Sequence, residues 1–84
     1  MNLIFTPEAW EDYLYWQRTD QRVTKRIREL IRDIGRSPFD GIGKPEALRH
    51  NLSGCWSRRI TEEHRIVYKV TEDGIAFLQM RYHY

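Results

Sequence analysis

The chain is 84 residues long, carries 14 Lys and Arg against 12 Asp and Glu for a formal net charge of +2, and has one cysteine, Cys55. That length holds one small domain, residues 1–84, whose core is marginal unless a disulfide, a metal or another protein chain supports it. A lone cysteine excludes an internal disulfide and fits the reducing cytosol, so dimerisation or a bound partner is the expected source of extra buried surface. The apolar start Leu3-Ile4-Phe5 is interrupted by Pro7, Glu8, Glu11 and Asp12, too soon for a signal peptide or membrane span, which points to a soluble, cytoplasmic protein.

Asn2 to Phe5 reads as a short strand. Thr6-Pro7-Glu8 then supplies a cap, a proline at the first helical position and an acid in the first turn, so a helix of about three turns begins at Pro7. Trp10, Tyr13, Leu14 and Gln17 follow at helical spacing, and Thr19-Asp20 provides both a stop and the next cap. Val23, Ile27, Leu30, Ile31 and Ile34 form the one-sided apolar stripe of a second helix that ends at Gly35. The charges divide between these helices: residues 1–20 carry four acids against Arg18 alone, and residues 21–36 carry six bases against Glu29 and Asp33. The basic face, Arg22, Lys25, Arg28, Arg32 and Arg36, either holds RNA phosphates or keeps a small protein in solution, and the solvated-face reading comes first.

Between Arg36 and Pro45 the breakers Pro38, Gly41, Gly43 and Pro45 enforce a loop. Strand signals then follow at Ala47 to Leu52, Cys55 to Thr61, His64 to Val70 and Ile75 to about Tyr82, separated by turns at Ser53-Gly54, Glu62-Glu63 and Glu72-Asp73-Gly74. Helices early and an antiparallel meander late define an α+β domain. No repeat or low-complexity tract is present.

Residues able to do chemistry gather in the second half: Lys44, Glu46, Arg49, His50, Arg58, Arg59, His64, Arg65, Arg81, His83 and Tyr84. Three histidines on separate strands and one cysteine show none of the short ligand spacings of a zinc site, so no metal or other cofactor is expected. Gly41-Ile42-Gly43-Lys44 has neither the length of a phosphate-cradling loop nor the Ser or Thr after its lysine. Metal-free RNA cleavage needs a base for the 2′-hydroxyl, cations for the phosphorane-like transition state and an acid for the leaving 5′-oxygen, roles that Glu, Arg and His can fill. Plainer readings stand beside this one. His50 and His64 read as surface or structural residues, and Trp10, Tyr13, Trp16 and Trp56 as core or interface. Glu46 is by default a loop carboxylate, and Arg58, Arg59 and Arg65 are by default ladder charges on the exposed face of a sheet. The run Arg81-Tyr82-His83-Tyr84 stands out, because a strand carrying Arg81 to the sheet edge leaves His83 and Tyr84 at a rim where Arg65 and Glu46 could converge. Its plainer reading is an aromatic tail packed into a dimer or partner.

Asp12-Tyr13-Leu14-Tyr15-Trp16, Gly43-Lys44-Pro45-Glu46, the run NLSGCWSRRITEEHRIVY from Asn51 to Tyr68 and the terminal RYHY together resemble the YoeB toxins of the RelE/ParE superfamily over essentially the whole chain. The resemblance implies two helices packed on one face of a small antiparallel sheet, and a toxin that enters the ribosomal A site and cuts the mRNA there. It implies Glu46 as general base, Arg65 as stabiliser of the transition-state phosphate, His83 as general acid and Tyr84 as an orienting group, with a 2′,3′-cyclic phosphate and a 5′-hydroxyl as products. Lys44, Arg49, Arg59 and Arg81 are the implied contacts to phosphates of mRNA or ribosomal RNA. It further implies a YefM-like antitoxin, whose disordered C-terminal segment folds over the toxin, and a homodimer. Two positions depart from the family pattern. Arg49 stands where a lysine is expected, keeping the charge but replacing a point charge with a planar fork. Cys55 replaces a more usual phenylalanine, a change of packing more than of chemistry. The alternatives are a ParE-like gyrase inhibitor, against which the RYHY ending argues, and a non-catalytic module that binds RNA or antitoxin.

Overall fold

The computed structural model describes residues 1–84, and its first helix begins where local chemistry places it. The Thr6 side chain accepts the Ala9 N–H at 3.1 Å, Pro7 fills the first helical position, and α1 runs Pro7–Thr19. Asp20 closes this helix by donating its N–H to the Trp16 carbonyl, and opens α2, Gln21–Arg36, by accepting the Arg22 and Val23 N–H groups on its carboxylate. Along α2 the stripe Val23, Ile27, Leu30 and Ile34 is buried and Ile31 half-buried, while Arg22, Lys25, Arg28, Arg32 and Arg36 are exposed. Neither helix is long and apolar enough to cross a membrane.

Five strands, β1 (Asn2–Phe5), β2 (Glu46–Ala47), β3 (Trp56–Arg59), β4 (Arg65–Thr71) and β5 (Gly74–Gln79), make one sheet in the order β1-β5-β4-β3-β2. The fold class is the expected α+β, and β2 to β5 pair antiparallel. The sheet is nevertheless mixed, because β1 lies parallel to β5 with Asn2 opposite Gly74 and Phe5 opposite Phe77. Gly74 permits this approach: its φ is +146°, and a Cβ there collides with the Asn2 carbonyl oxygen.

Alternation along the strands separates two faces. Ile66, Tyr68, Ile75 and Phe77 point toward the helices and join Ala9, Trp16, Val23, Ile27, Leu30, Ile34, Ile60 and Met80 in the main core. On the opposite face Val67 packs with Leu48 and Cys55, flanked by Leu52 and Leu78. This second cluster explains why Ala47 to Leu52 is not a strand. Pairing stops after Ala47, and a single 3₁₀ turn at His50–Leu52 brings Leu48 and Cys55 over the sheet, joined by the Leu48 N–H to Cys55 carbonyl bond of 2.9 Å. The last strand also ends early, at Gln79, after a register shift between β4 and β5 at Val67 and Tyr68. A bulge of this kind re-aims the chain that follows it.

Arg58 overturns the default reading of an exposed ladder charge. It pairs with Ile66 on the helix side of the sheet and has no solvent exposure. Its five N–H donors meet five acceptors. Nε donates to the Tyr68 hydroxyl, Nη1 to Asp33 Oδ2 (2.6 Å) and the Ile42 carbonyl, and Nη2 to the carbonyls of Ser37 and Asp40. The Tyr68 hydroxyl in turn donates to the Pro38 carbonyl. A buried guanidinium is tolerated only when its donors are satisfied in this way. Here the partners are the carbonyls of the breaker-rich loop, which gains a fixed shape from them and leads directly into Glu46.

Candidate functional site

Register places the candidate residues on the face away from the helices. Glu46 pairs with Ser57, Ser57 with Val67, and Arg59 with Arg65. Directly paired residues share a face, so Glu46, Ser57, Arg59, Arg65 and Val67 all lie on the face opposite the helices, where Ser57, Arg65 and Val67 are buried and Glu46 and Arg59 exposed. The 3₁₀ turn rises beside them, and an open cleft of about 510 Å³ is lined by Glu46, Ala47, Leu48, Arg49, His50, Asn51, Leu52 and Tyr84. Glu46, Arg49 and Tyr84 thus lie around one cavity. His50 in its wall has a φ of +59°, in the left-handed region, and Lys44, which does not line it, has a φ of +52°.

Arg65 is 8% exposed and partly engaged: Nη1 donates to the carbonyls of Thr61 (2.7 Å), Glu62 (3.1 Å) and His64 (3.2 Å). Its other guanidinium donors make no bond within the chain and keep solvent access, since the one buried orphan nitrogen is Arg81 Nε. A fork held at one prong presents the other to an anion. Arg59 is exposed, with its N–H tied to the Gly43 carbonyl at 2.7 Å, so β3 and the Lys44 corner are joined.

His83 is not in this cleft. It lines a smaller one, about 210 Å³, with Glu8, Asp12, Gln79, Arg81 and Tyr82, and its ring lies tilted against Tyr84, with centroids 4.6 Å apart and planes at 35°. Arg81 sits with it, its guanidinium 3.6 Å from the centre of the Tyr15 ring and 4.7 Å from that of Tyr82. The structure therefore brings Glu46, Arg49 and Tyr84 to one cavity and Arg59 and Arg65 to the same face of the sheet, and it sets His83 and Arg81 at the smaller cleft. No group of three or more His, Cys, Asp or Glu side chains is arranged to hold a metal ion.

Several residues outside the candidate set shape this region. His64, read as a surface or structural residue, has a structural part here, its Nδ1 accepting the Tyr82 N–H at 2.8 Å. Asp12 accepts the Met80 N–H at 2.9 Å, and Trp16 Nε1 donates to the Met80 carbonyl at 2.8 Å. Asp12 and Trp16 are one helical turn apart, a spacing that puts both on one face of α1, but nothing local ties them to residue 80. Trp10, read as core or interface, is 47% exposed, whereas Trp16 is buried.

Asp33 is held by three donors at once. Its carboxyl is held well below the usual carboxylate range by hydrogen bonds from Arg36, from the Ile42 N–H and from Arg58. Burial pushes the Tyr68 hydroxyl up, against the opposing bond from Arg58. Both groups belong to the scaffold beneath the loop.

Two helices over one face of a mixed sheet, with an open cleft on the other, define an α+β domain of the RelE-like kind. Solved structures agree. The chain superposes on the YoeB/ParE toxin from Agrobacterium tumefaciens with a TM-score of 0.97, at 50% identity and with both chains fully covered. A YoeB of Staphylococcus aureus, solved as a dimer, matches at 0.92 and 47% identity over 100% of this chain and 98% of that one, and a YoeB-YefM complex from Staphylococcus aureus matches at 0.91 and 46% identity with the same coverage. In sequence the chain is 63% identical to the toxin YoeB of Escherichia coli K12 over the full length of both. The model of the YoeB-like toxin of bacterial type II toxin-antitoxin systems matches residues 5–84, and the chain belongs to that family.

Proposed function

We propose that this toxin is an endoribonuclease that enters the ribosomal A site and cuts mRNA there, without a metal, by attack of a 2′-hydroxyl on the adjacent phosphate. The observation that carries the reading is the cleft on the bare face of the sheet, where a carboxylate (Glu46), a cation (Arg49) and an aromatic hydroxyl (Tyr84) surround a space open to a single strand. Glu46 takes the proton of the 2′-hydroxyl. The unengaged prong of Arg65, with Arg59 beside it on the sheet, receives the charge that builds on the phosphate oxygens. His83 supplies the proton to the departing 5′-oxygen, leaving a 2′,3′-cyclic phosphate and a 5′-hydroxyl, and Tyr84 orients the nucleotide by stacking. In the free chain the His83 ring lies tilted against Tyr84, outside the cleft, and catalytic hydrogen bonds often tighten only when substrate is bound. Lys44, Arg49, Arg59 and Arg81 hold phosphates of mRNA or ribosomal RNA.

The partners follow from the apolar surface left bare. Leu3, Trp10 and Phe39 are 49, 47 and 54% exposed, apolar surface that a covering chain would bury. A YefM-like antitoxin and a second copy of the toxin, the assemblies named for the Staphylococcus aureus relatives, fill that role, in the cytoplasm where ribosomes are.

Primer extension on mRNA held in purified bacterial ribosomes tests the reading, with wild type set beside Glu46→Ala, Arg65→Ala and His83→Gln. The expected result is a cut within the A-site codon that falls by about 10²-fold or more in each variant, the usual contribution of a general acid or base or of a donor to transition-state charge. Intact mRNA beside an active control toxin overturns it. Wild-type cutting that His83→Gln leaves unchanged removes His83 from the mechanism and leaves the phosphate-binding face.

A further inference from the structure

Residues 80–84 leave the sheet and are held by side chains from elsewhere. Met80 is pinned at both backbone groups, its N–H by Asp12 and its carbonyl by Trp16. Tyr82 is pinned in the same way by two consecutive residues: its N–H goes to His64 Nδ1 at 2.8 Å, and its carbonyl accepts the Arg65 N–H at 2.9 Å. Between these pins Tyr82 adopts a φ of +66°, a conformation that an aromatic L-residue takes only when its surroundings impose it. The turn made there decides where the next two side chains go. The His64 ring is itself wedged edge-on against Trp16, centroids 4.8 Å apart and planes at 75°. An imidazole that accepts at Nδ1 carries its hydrogen on Nε2, so the bond fixes the tautomer as well as the ring position.

We propose that His64 is a positioning residue, and that its Nδ1 acceptor, braced by Trp16, sets the turn at Tyr82 that delivers His83 and Tyr84 to the RNA. The inference rests on the ribonuclease reading for its effect on rate, but the clamp itself is a matter of backbone hydrogen bonding and is measurable without any RNA. Two substitutions separate positioning from packing. In His64→Asn the amide oxygen occupies the place of Nδ1, two bonds from Cβ, while the ring bulk against Trp16 is lost. In His64→Leu the bulk is kept and the acceptor is lost. A role in packing alone favours leucine; the clamp favours asparagine.

The test pairs steady-state cleavage of ribosome-bound mRNA with hydrogen exchange at the Tyr82 amide of the free toxin. In His64→Leu the expected result is a fall in kcat of roughly 10–100-fold with KM changed less than about threefold, the mark of misplaced catalytic groups, together with loss of Tyr82 protection. His64→Asn restores kcat to within about fivefold of wild type and keeps the protection. Equal rates for wild type and His64→Leu, or His64→Asn as slow as His64→Leu, overturn the proposal. If wild type fails to cut mRNA, the ribonuclease reading falls and exchange alone decides: protection lost in the leucine variant only supports the clamp, and protection unchanged in both variants overturns it.

Discussion

Arg58 and Asp33 are 25 positions apart in sequence and 2.6 Å apart in the fold, and their pairing gives stability a dependence on acid. The Asp33 carboxyl is depressed first by the bond from Arg36, then by the Ile42 N–H and by Arg58. A carboxylate whose folded-state pKa lies below its unfolded value of about 3.9 contributes stability at every pH above that value. The contribution is lost as pH falls from there toward the folded-state pKa. Asp33→Asn is therefore expected to be less stable than wild type in urea melts at pH 7, with the gap narrowing steadily below about pH 4. A gap that stays constant down to pH 2 shows that the carboxylate charge is not what Arg58 and Arg36 hold. The same residue shows the reach of sequence reading. Asp33 was legible only as one of two acids on a basic helix, because its partners Ile42 and Arg58 are 9 and 25 positions away.

At the scale of elements, β1 and β5 show how a single residue admits a strand. The Asn2 backbone passes so close to Gly74 that no Cβ fits, and the φ of +146° there is one that L side chains rarely adopt. Gly74→Val is expected to cost about 2 kcal/mol or more, from strain and overpacking together. Peeling β1 away should relieve it, seen as faster hydrogen exchange at Leu3, Ile4 and Phe5 while the β3 and β4 amides stay protected. Unchanged exchange in β1 would mean that the edge adapts without detaching. The helices were legible in detail, since Thr6, Asp20 and the stripe from Val23 to Ile34 act over separations of four residues or fewer between neighbours. The strand from Ala47 to Leu52 was misread for the converse reason. Leu48 and Leu52 look like strand residues, but they bury against Val67 and Leu78 by folding over the sheet rather than by joining it.

The whole molecule spans 31 × 25 × 24 Å and leaves large apolar side chains bare at Leu3, Trp10, Phe39 and Ile42. If a second copy covers such surface, folding and association are linked, and stability rises with protein concentration. A tenfold increase in concentration is then expected to raise Tm by roughly 3–6 °C for a dimer of this size, read by scanning calorimetry across two decades of dilution. A Tm independent of concentration separates dimerisation from folding and leaves the antitoxin as the covering chain. The sequence by itself determined the helices, their caps, the breaker loop and the late antiparallel strands, because each is written in residues a few positions apart. It also carried, through its resemblance, the family and the residues placed around the cleft. Only the tertiary structure decided that Arg58 is buried while its neighbour Arg59 is exposed. It likewise decided that β1 runs parallel to β5, and that the chain turns at Tyr82 under His64 rather than continuing as a strand. Alternation says which residues share a face of a sheet but not which face the helices will cover, and a hydrogen bond between residues 64 and 82 leaves no local pattern to read.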